Sequence, residues 1–128
     1  MKTSGVHHIT LTVKDLKKSK EFYYNVCGMK LVVDEKEYCG LSDGNFSLWL
    51  GEFRDQKPKD QKFNKNQIGL DHWAFKVDSM TELKEIELHL KKLKMSMENN
   101  GITDDDFGGT AIFTKDPDGM KVEFHLDK

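Results

Sequence analysis

The chain has 128 residues, 33% of them charged, and the two signs nearly cancel to a formal charge of −2. That length suits one domain able to bury a core without staples, and the charge balance excludes the basic excess that nucleic-acid binding demands. No run approaches the roughly 20 apolar residues of a membrane span. Met1-Lys2-Thr3-Ser4-Gly5 leads into no apolar run, so no secretory signal is expected. Cys27 and Cys39 lack metal-type spacing and read as reduced thiols, which points to a soluble cytoplasmic protein without nucleic-acid or membrane partners.

In chain order, His8-Ile9-Thr10-Leu11-Thr12-Val13 alternates with period two and predicts a strand. Ile9, Leu11 and Val13 form its apolar face; His8, Thr10 and Thr12 form the other. Asp15 is placed to cap a helix running to about Val26, with Leu16, Phe22, Tyr23 and Val26 as its buried stripe and Gly28 as its stop. Strands over 30–35, 38–41 and 46–52 come next, the last two joined by the turn Ser42-Asp43-Gly44-Asn45. Residues 54–67 are rich in Lys, Asp, Gln and Asn and have no period apart from an isolated Phe63. They read as a solvated linker, or as a loop over a site.

The same grammar then starts again. His72-Trp73-Ala74-Phe75-Lys76-Val77 alternates, with Trp73, Phe75 and Val77 apolar. Ser79 opens a helix with Glu82 as capping-box partner, Leu83, Ile86, Leu90 and Leu93 supply the stripe, and Asn99-Asn100-Gly101 ends the segment. Residues 103–109 predict an acidic, glycine-ended loop, and residues 111–115 a strand. Asp116-Pro117-Asp118-Gly119 is a tight turn in which Pro117 sets φ and Gly119 admits φ > 0. In the closing strand Val122, Phe124 and Leu126 share one face, and Lys121, Glu123 and His125 share the other. A carboxylate in mid-strand between apolar neighbours is badly placed unless something cationic meets it.

The chain is therefore an internal repeat of strand, helix and three strands. Laying residues 8–13 over 72–77 puts histidine on histidine. Asp43-Gly44-Asn45-Phe46-Ser47-Leu48 lies over Asp118-Gly119-Met120-Lys121-Val122-Glu123, so Leu48 is expected where the second half offers Glu123. The expected class is α+β: one domain over 1–128, built of two tandem βαβββ modules at about 5–53 and 68–128 with the linker 54–67 between them. Residues 8, 48, 72 and 123 would then stand around a pseudo-twofold axis, three of them metal ligands by chemistry.

These features resemble the vicinal oxygen chelate superfamily: glyoxalase I, extradiol dioxygenases, fosfomycin-resistance and bleomycin-resistance proteins. The resemblance covers nearly the whole chain. It rests on His8-Ile9-Thr10-Leu11-Thr12-Val13 with Phe22-Tyr23 and Gly28, on His72-Trp73-Ala74-Phe75, and on Asp116-Pro117-Asp118-Gly119 with Glu123. It implies a curved, half-barrel-like mixed sheet with helices on the outside. It also implies one divalent metal ion, among Zn, Ni, Mn, Co and Fe, bound by His8, His72 and Glu123. Short members of the family dimerise, which implies a homodimer with sites shared between chains.

Two imidazoles and a carboxylate leave an ion with open positions for substrate oxygens. The expected activity is that of a metal-dependent glyoxalase-like enzyme, a lyase, isomerase or thiol transferase acting on a small oxygenated organic molecule. Glyoxalase I carries a carboxylate base at the fourth position, where Leu48 is expected here, so another base is needed; His125 is a candidate, with Lys76 and Lys121 on the same strand faces. Fosfomycin-resistance transferases carry a catalytic threonine or cysteine two residues after the first histidine, which is Thr10 here. Phe46, Leu48 and Leu50 are expected to wall the substrate pocket. The plainer readings are a hydrogen-bonded strand histidine at His8 and His72, an edge-strand charge at Glu123, an ordinary β residue at Thr10, and module packing by Phe46, Leu48 and Leu50. A metal-free protein that sequesters a bleomycin-type ligand, or a regulatory interaction domain, is the alternative.

Overall fold

A computed structural model describes residues 1–53, 61–106 and 108–128. The chain divides into two compact units, Met1–Gln61 and Lys62–Lys128. Of the expected linker, residues 54–60 lie outside the described residues. Phe63 already belongs to the second unit, where its N–H donates to the Asp118 carbonyl at 3.2 Å.

The first unit contains β1 (His8–Thr12), α1 (Leu16–Glu21), β2 (Lys30–Asp34), β3 (Tyr38–Ser42) and β4 (Ser47–Gly51). Asp15 caps α1, its carboxylate accepting the Lys18 N–H at 3.0 Å. The helix continues as a π turn over Phe22–Val26, in which the adjacent Phe22 and Tyr23 are both buried with their rings edge to face at 4.9 Å. Gly28 takes the left-handed conformation that ends the segment, at φ +70°. The strands are ordered β1-β4-β3-β2; β1 runs parallel to β4 and the other pairings are antiparallel. Register puts Ile9 and Leu11 on one face with Leu48, Leu50, Cys39 and Leu41, and α1 packs against β3 and β4.

The second unit repeats the plan with β5 (His72–Val77), α2 (Met80–Lys92), β6 (Thr103–Asp104), β7 (Thr110–Lys115) and β8 (Lys121–Leu126). The order is β5-β8-β7-β6, again with one parallel pairing, β5 on β8. Trp73 and Phe75 share a face with Val122, Phe124 and Ile112, and α2 packs against β5, β7 and β8 through Leu83 and Leu90. Each of those two leucines is fully buried, which contributes about 1.5–3 kcal/mol per side chain. Each unit is thus a βαβββ module, and the α+β class stands.

Two details differ from the sequence expectation. The helix stops at Lys92, well before Asn99: Lys94 turns left-handed at φ +56°, Leu93 is left 41% exposed, and a separate 3-10 turn covers Glu98–Asn100. Within the expected acidic loop, Thr103–Asp104 form a two-residue strand against Thr110–Ala111, too short for any alternation to show in sequence.

Candidate metal centre

The faces of β5 and β8 opposite α2 carry the chemistry of the second unit. His72, Ala74 and Lys76 stand in register with Lys121, Glu123 and His125, which places all six on one side of the parallel pair. Glu123 is only 7% exposed, and a buried carboxylate needs partners on both oxygens. It has them. His72 Nε2 lies 3.1 Å from Oε2, and His125 Nδ1 lies 2.9 Å from Oε1.

The other nitrogen of His72 fixes what Nε2 can do. Nδ1 is 2.6 Å from Oδ1 of Asp71, and since a carboxylate only accepts, Nδ1 carries the proton. Asp71 is correspondingly held below the ordinary carboxylate range, chiefly by that hydrogen bond. Nε2 is then the nitrogen left to face Oε2 of Glu123 at 3.1 Å, either as a donor to that oxygen or as a ligand beside it on a shared cation. A carboxylate behind a ligating imidazole is the usual support of a metal-bound histidine. Two donors about 2.1 Å from one ion at 90–109° lie about 3.0–3.4 Å apart, so the pair fits a divalent ion.

His125 is held between carboxylates. Its Nδ1 faces Glu123 and, at 3.4 Å, Oδ2 of Asp105, while Nε2 faces Oδ1 of Asp127 at 3.1 Å. The hydrogen bond to Glu123, then the charges of that group and of Asp127 and Asp105, outweigh partial burial and raise its pKa above 6.5. Both nitrogens thus face carboxylates, the arrangement in which the expected base would have to act. Lys76 is 73% exposed beside Asp78, and Lys121 is bound by Glu98 at 2.9 Å with its ammonium 5.2 Å over the Phe113 ring.

In the first unit His8, Thr10 and Thr12 are exposed on the face of β1 away from α1. The two registers can be compared directly. His8 pairs with Ser47 as His72 pairs with Lys121, so His8, not His7, is the counterpart of His72. Two residues on, Thr10 pairs with Trp49 as Ala74 pairs with Glu123. The counterpart of Glu123 is therefore Trp49, and Leu48 is displaced by one residue, which sends it to the opposite face. The turns explain the slip. Asp116 Oδ1 accepts from the N–H two residues on, Asp118, at 2.9 Å; Ser42 Oγ does the same for Gly44 at 3.0 Å. Ser42 thus corresponds to Asp116, and matching one Asp-Gly to the other was out by one.

The expected pocket wall changes with it. Leu48 and Leu50 are 0% and 1% exposed on the α1 side, and Phe46 lies in the turn before β4 with its N–H on Asp43. The face shared with His8 and Thr10 carries Trp49 instead, its ring lying so close over Gly40 that a Cβ there would meet it at 2.9 Å. Trp49 was missed because a tryptophan between two leucines looks like core; only register reveals its side.

Residues 5–124 match the family model described as Glyoxalase/Bleomycin resistance protein/Dioxygenase superfamily. The chain is 34% identical over 130 residues to "Metallothiol transferase FosB" of Lysinibacillus sphaericus (strain C3-41), covering 98% of this chain and 84% of that protein. Among solved structures it resembles the glyoxylase/bleomycin resistance protein/dioxygenase domain from Frankia sp. EAN1pec, at a TM-score of 0.85 and 27% identity over 99% of this chain and 94% of that one. It also resembles the fosfomycin resistance protein FosX from Listeria monocytogenes, at a TM-score of 0.75 and 25% identity over 99% and 96% of the two chains.

Proposed function

The chain belongs to the Glyoxalase/Bleomycin resistance protein/Dioxygenase superfamily, and from that premise we propose that it is a divalent-metal-dependent enzyme transferring a thiol to a small oxygenated organic molecule. The ion would be held by His8, His72 and Glu123. The observation that carries this is His72 Nε2 set 3.1 Å from Oε2 of Glu123, with Asp71 on the ring's other nitrogen. His8 supports it by standing on β1 where His72 stands on β5. Thiol transfer is preferred over a glyoxalase reaction on two grounds. A relative over nearly the whole chain is named a metallothiol transferase, and the strand position corresponding to Glu123 holds Trp49, which supplies no proton-moving carboxylate.

A bound ion with three protein donors would act as a Lewis acid on a substrate oxygen. The protein's own contributions come from its side chains. Asp71 keeps His72 in the tautomer that frees Nε2. Thr10, exposed on the same face of β1 as His8, would donate a hydrogen bond to a substrate oxygen as its charge develops. Trp49 offers an aromatic wall on that face, replacing the Leu48 and Leu50 surface first expected. The attacking thiol brings its own sulfur: its S–C bond forms as a C–O bond of the substrate breaks, and the released oxygen takes up the thiol's proton, so no nucleophilic side chain is required. Metal-free sequestration is not favoured, because a relative over nearly the whole chain is named a metallothiol transferase.

The direct test is consumption of a low-molecular-weight thiol with fosfomycin as the oxygenated substrate, with and without chelator. Activity that vanishes with chelator, returns with added divalent ion and falls at least about a hundredfold in Thr10→Ala supports the proposal. Turnover unaffected by chelator would exclude it.

A further inference from the structure

The loop before β7 contains a set of groups that the metal ligands alone do not use. Asp105 and Gly109 are tied together, Asp105 N–H to the Gly109 carbonyl at 3.0 Å and Gly109 N–H to Oδ1 of Asp105 at 2.8 Å. The second oxygen of Asp105 is thereby turned toward His125, and ligand-type atoms of Asp105, Glu123 and His125 all lie within 4.8 Å of one another. Gly109 has no room for a side chain: a Cβ there would stand 2.6 Å from Oδ2 of Asp105 and 2.7 Å from the His125 ring. Glycine at this point keeps the space into which the imidazole fits.

We propose that His125 is a positioning residue for Glu123: its Nδ1–H holds Oε1, so that Oε2 alone is presented beside Nε2 of His72. The proposal rests on the metal-dependent reading above. The geometry is specific to one nitrogen. Oε1 is taken at 2.9 Å by His125 and Oε2 is the atom 3.1 Å from His72, so the carboxylate is split between a support and a ligand role. Asp105 and Asp127 steady the ring from either side, at 3.4 and 3.1 Å. The acidic loop therefore meets Glu123 through His125, much as Asp71 meets it through His72. A buried carboxylate with an unengaged oxygen rotates or binds through both atoms; one pinned at Oε1 keeps a single orientation.

Calorimetric titration of the metal-stripped full chain with Zn(II) tests this, using wild type, His125→Asn, His125→Gln and His125→Ala. Thermal unfolding of each variant without metal checks the fold. Asparagine returns an N–H near the Nδ1 position and glutamine one near Nε2. Loss of the support weakens Zn(II) binding about tenfold to a hundredfold in H125A and H125Q, whereas H125N stays at the wild-type affinity. Glutamine keeps the bulk of the ring and carries the comparison if alanine loosens the strand. Equal affinity in wild type and H125Q would overturn the positioning role while leaving the metal site intact. A second Zn(II) equivalent lost in H125Q would also overturn it, because the cluster would then be a site in its own right. A wild type that binds no Zn(II) would remove the metal reading together with this inference.

Discussion

Glu123 is where single residues decide most. Its carboxylate is buried, bracketed by His72 and His125, and packed under a loop whose Gly109 cannot gain a methyl group. We therefore expect Gly109→Ala to destabilise the chain by about 1–3 kcal/mol, since the new Cβ must push against the Asp105 carboxylate and the His125 ring. Urea unfolding monitored by tryptophan fluorescence measures it; an unchanged midpoint would mean that the loop yields freely. Glu123 itself was legible in the sequence, because a charge among alternating apolar residues needs an explanation. The partition of its two oxygens was not, since it depends on which nitrogen of which ring approaches. Trp49 was hidden for a different reason. The side a strand residue faces changes with a one-residue slip, and the turn from Ser42 to Ser47 carries its anchor on a serine hydroxyl where the second unit's turn uses Asp116.

At the scale of elements, α2 shows how a helix is tied to the next segment of chain. Its Glu87 accepts the Ile102 N–H at 3.1 Å and pairs with Lys91 at 3.1 Å, and its carboxylate fills the space beside Gly101 where a side chain would sit. The Ile102 N–H first, and Lys91 second, hold the Glu87 pKa below 4.5. A depressed folded-state pKa gives stability that is present above the unfolded value near 4.5 and is lost as pH falls through the lower, folded value. Glu87→Gln keeps an acceptor for Ile102 but cannot titrate, so the variant is expected to lose less stability than wild type between pH 5 and 3, an interval set by carboxylate pKa values of about 4. Parallel urea titrations at those two pH values decide the point, and identical acid sensitivity would contradict it. The cap at Asp15, the stripe positions Leu83 and Leu90 and the alternating strands were readable, because period and capping residues are local. The end of α2 was not, because Lys94 adopts φ +56° without being the glycine or asparagine that signals a stop.

On the scale of the whole molecule, the repeat of two βαβββ units is visible in the sequence as histidine over histidine, and that repeat carries the family resemblance. Among the described residues no helix is long and apolar enough to cross a membrane. A homodimer is proposed, as the family resemblance implies. Sedimentation at micromolar concentration should give twice the 14.8 kDa chain mass, and a single-chain mass would remove it. The proposed ligands are His8, His72 and Glu123. Elemental analysis of the purified chain beside His8→Ala and Glu123→Ala tests that ligand set most directly. A stoichiometric divalent ion is expected in wild type and its loss in both variants, with the fold retained by circular dichroism. Metal content unchanged by either substitution would contradict it.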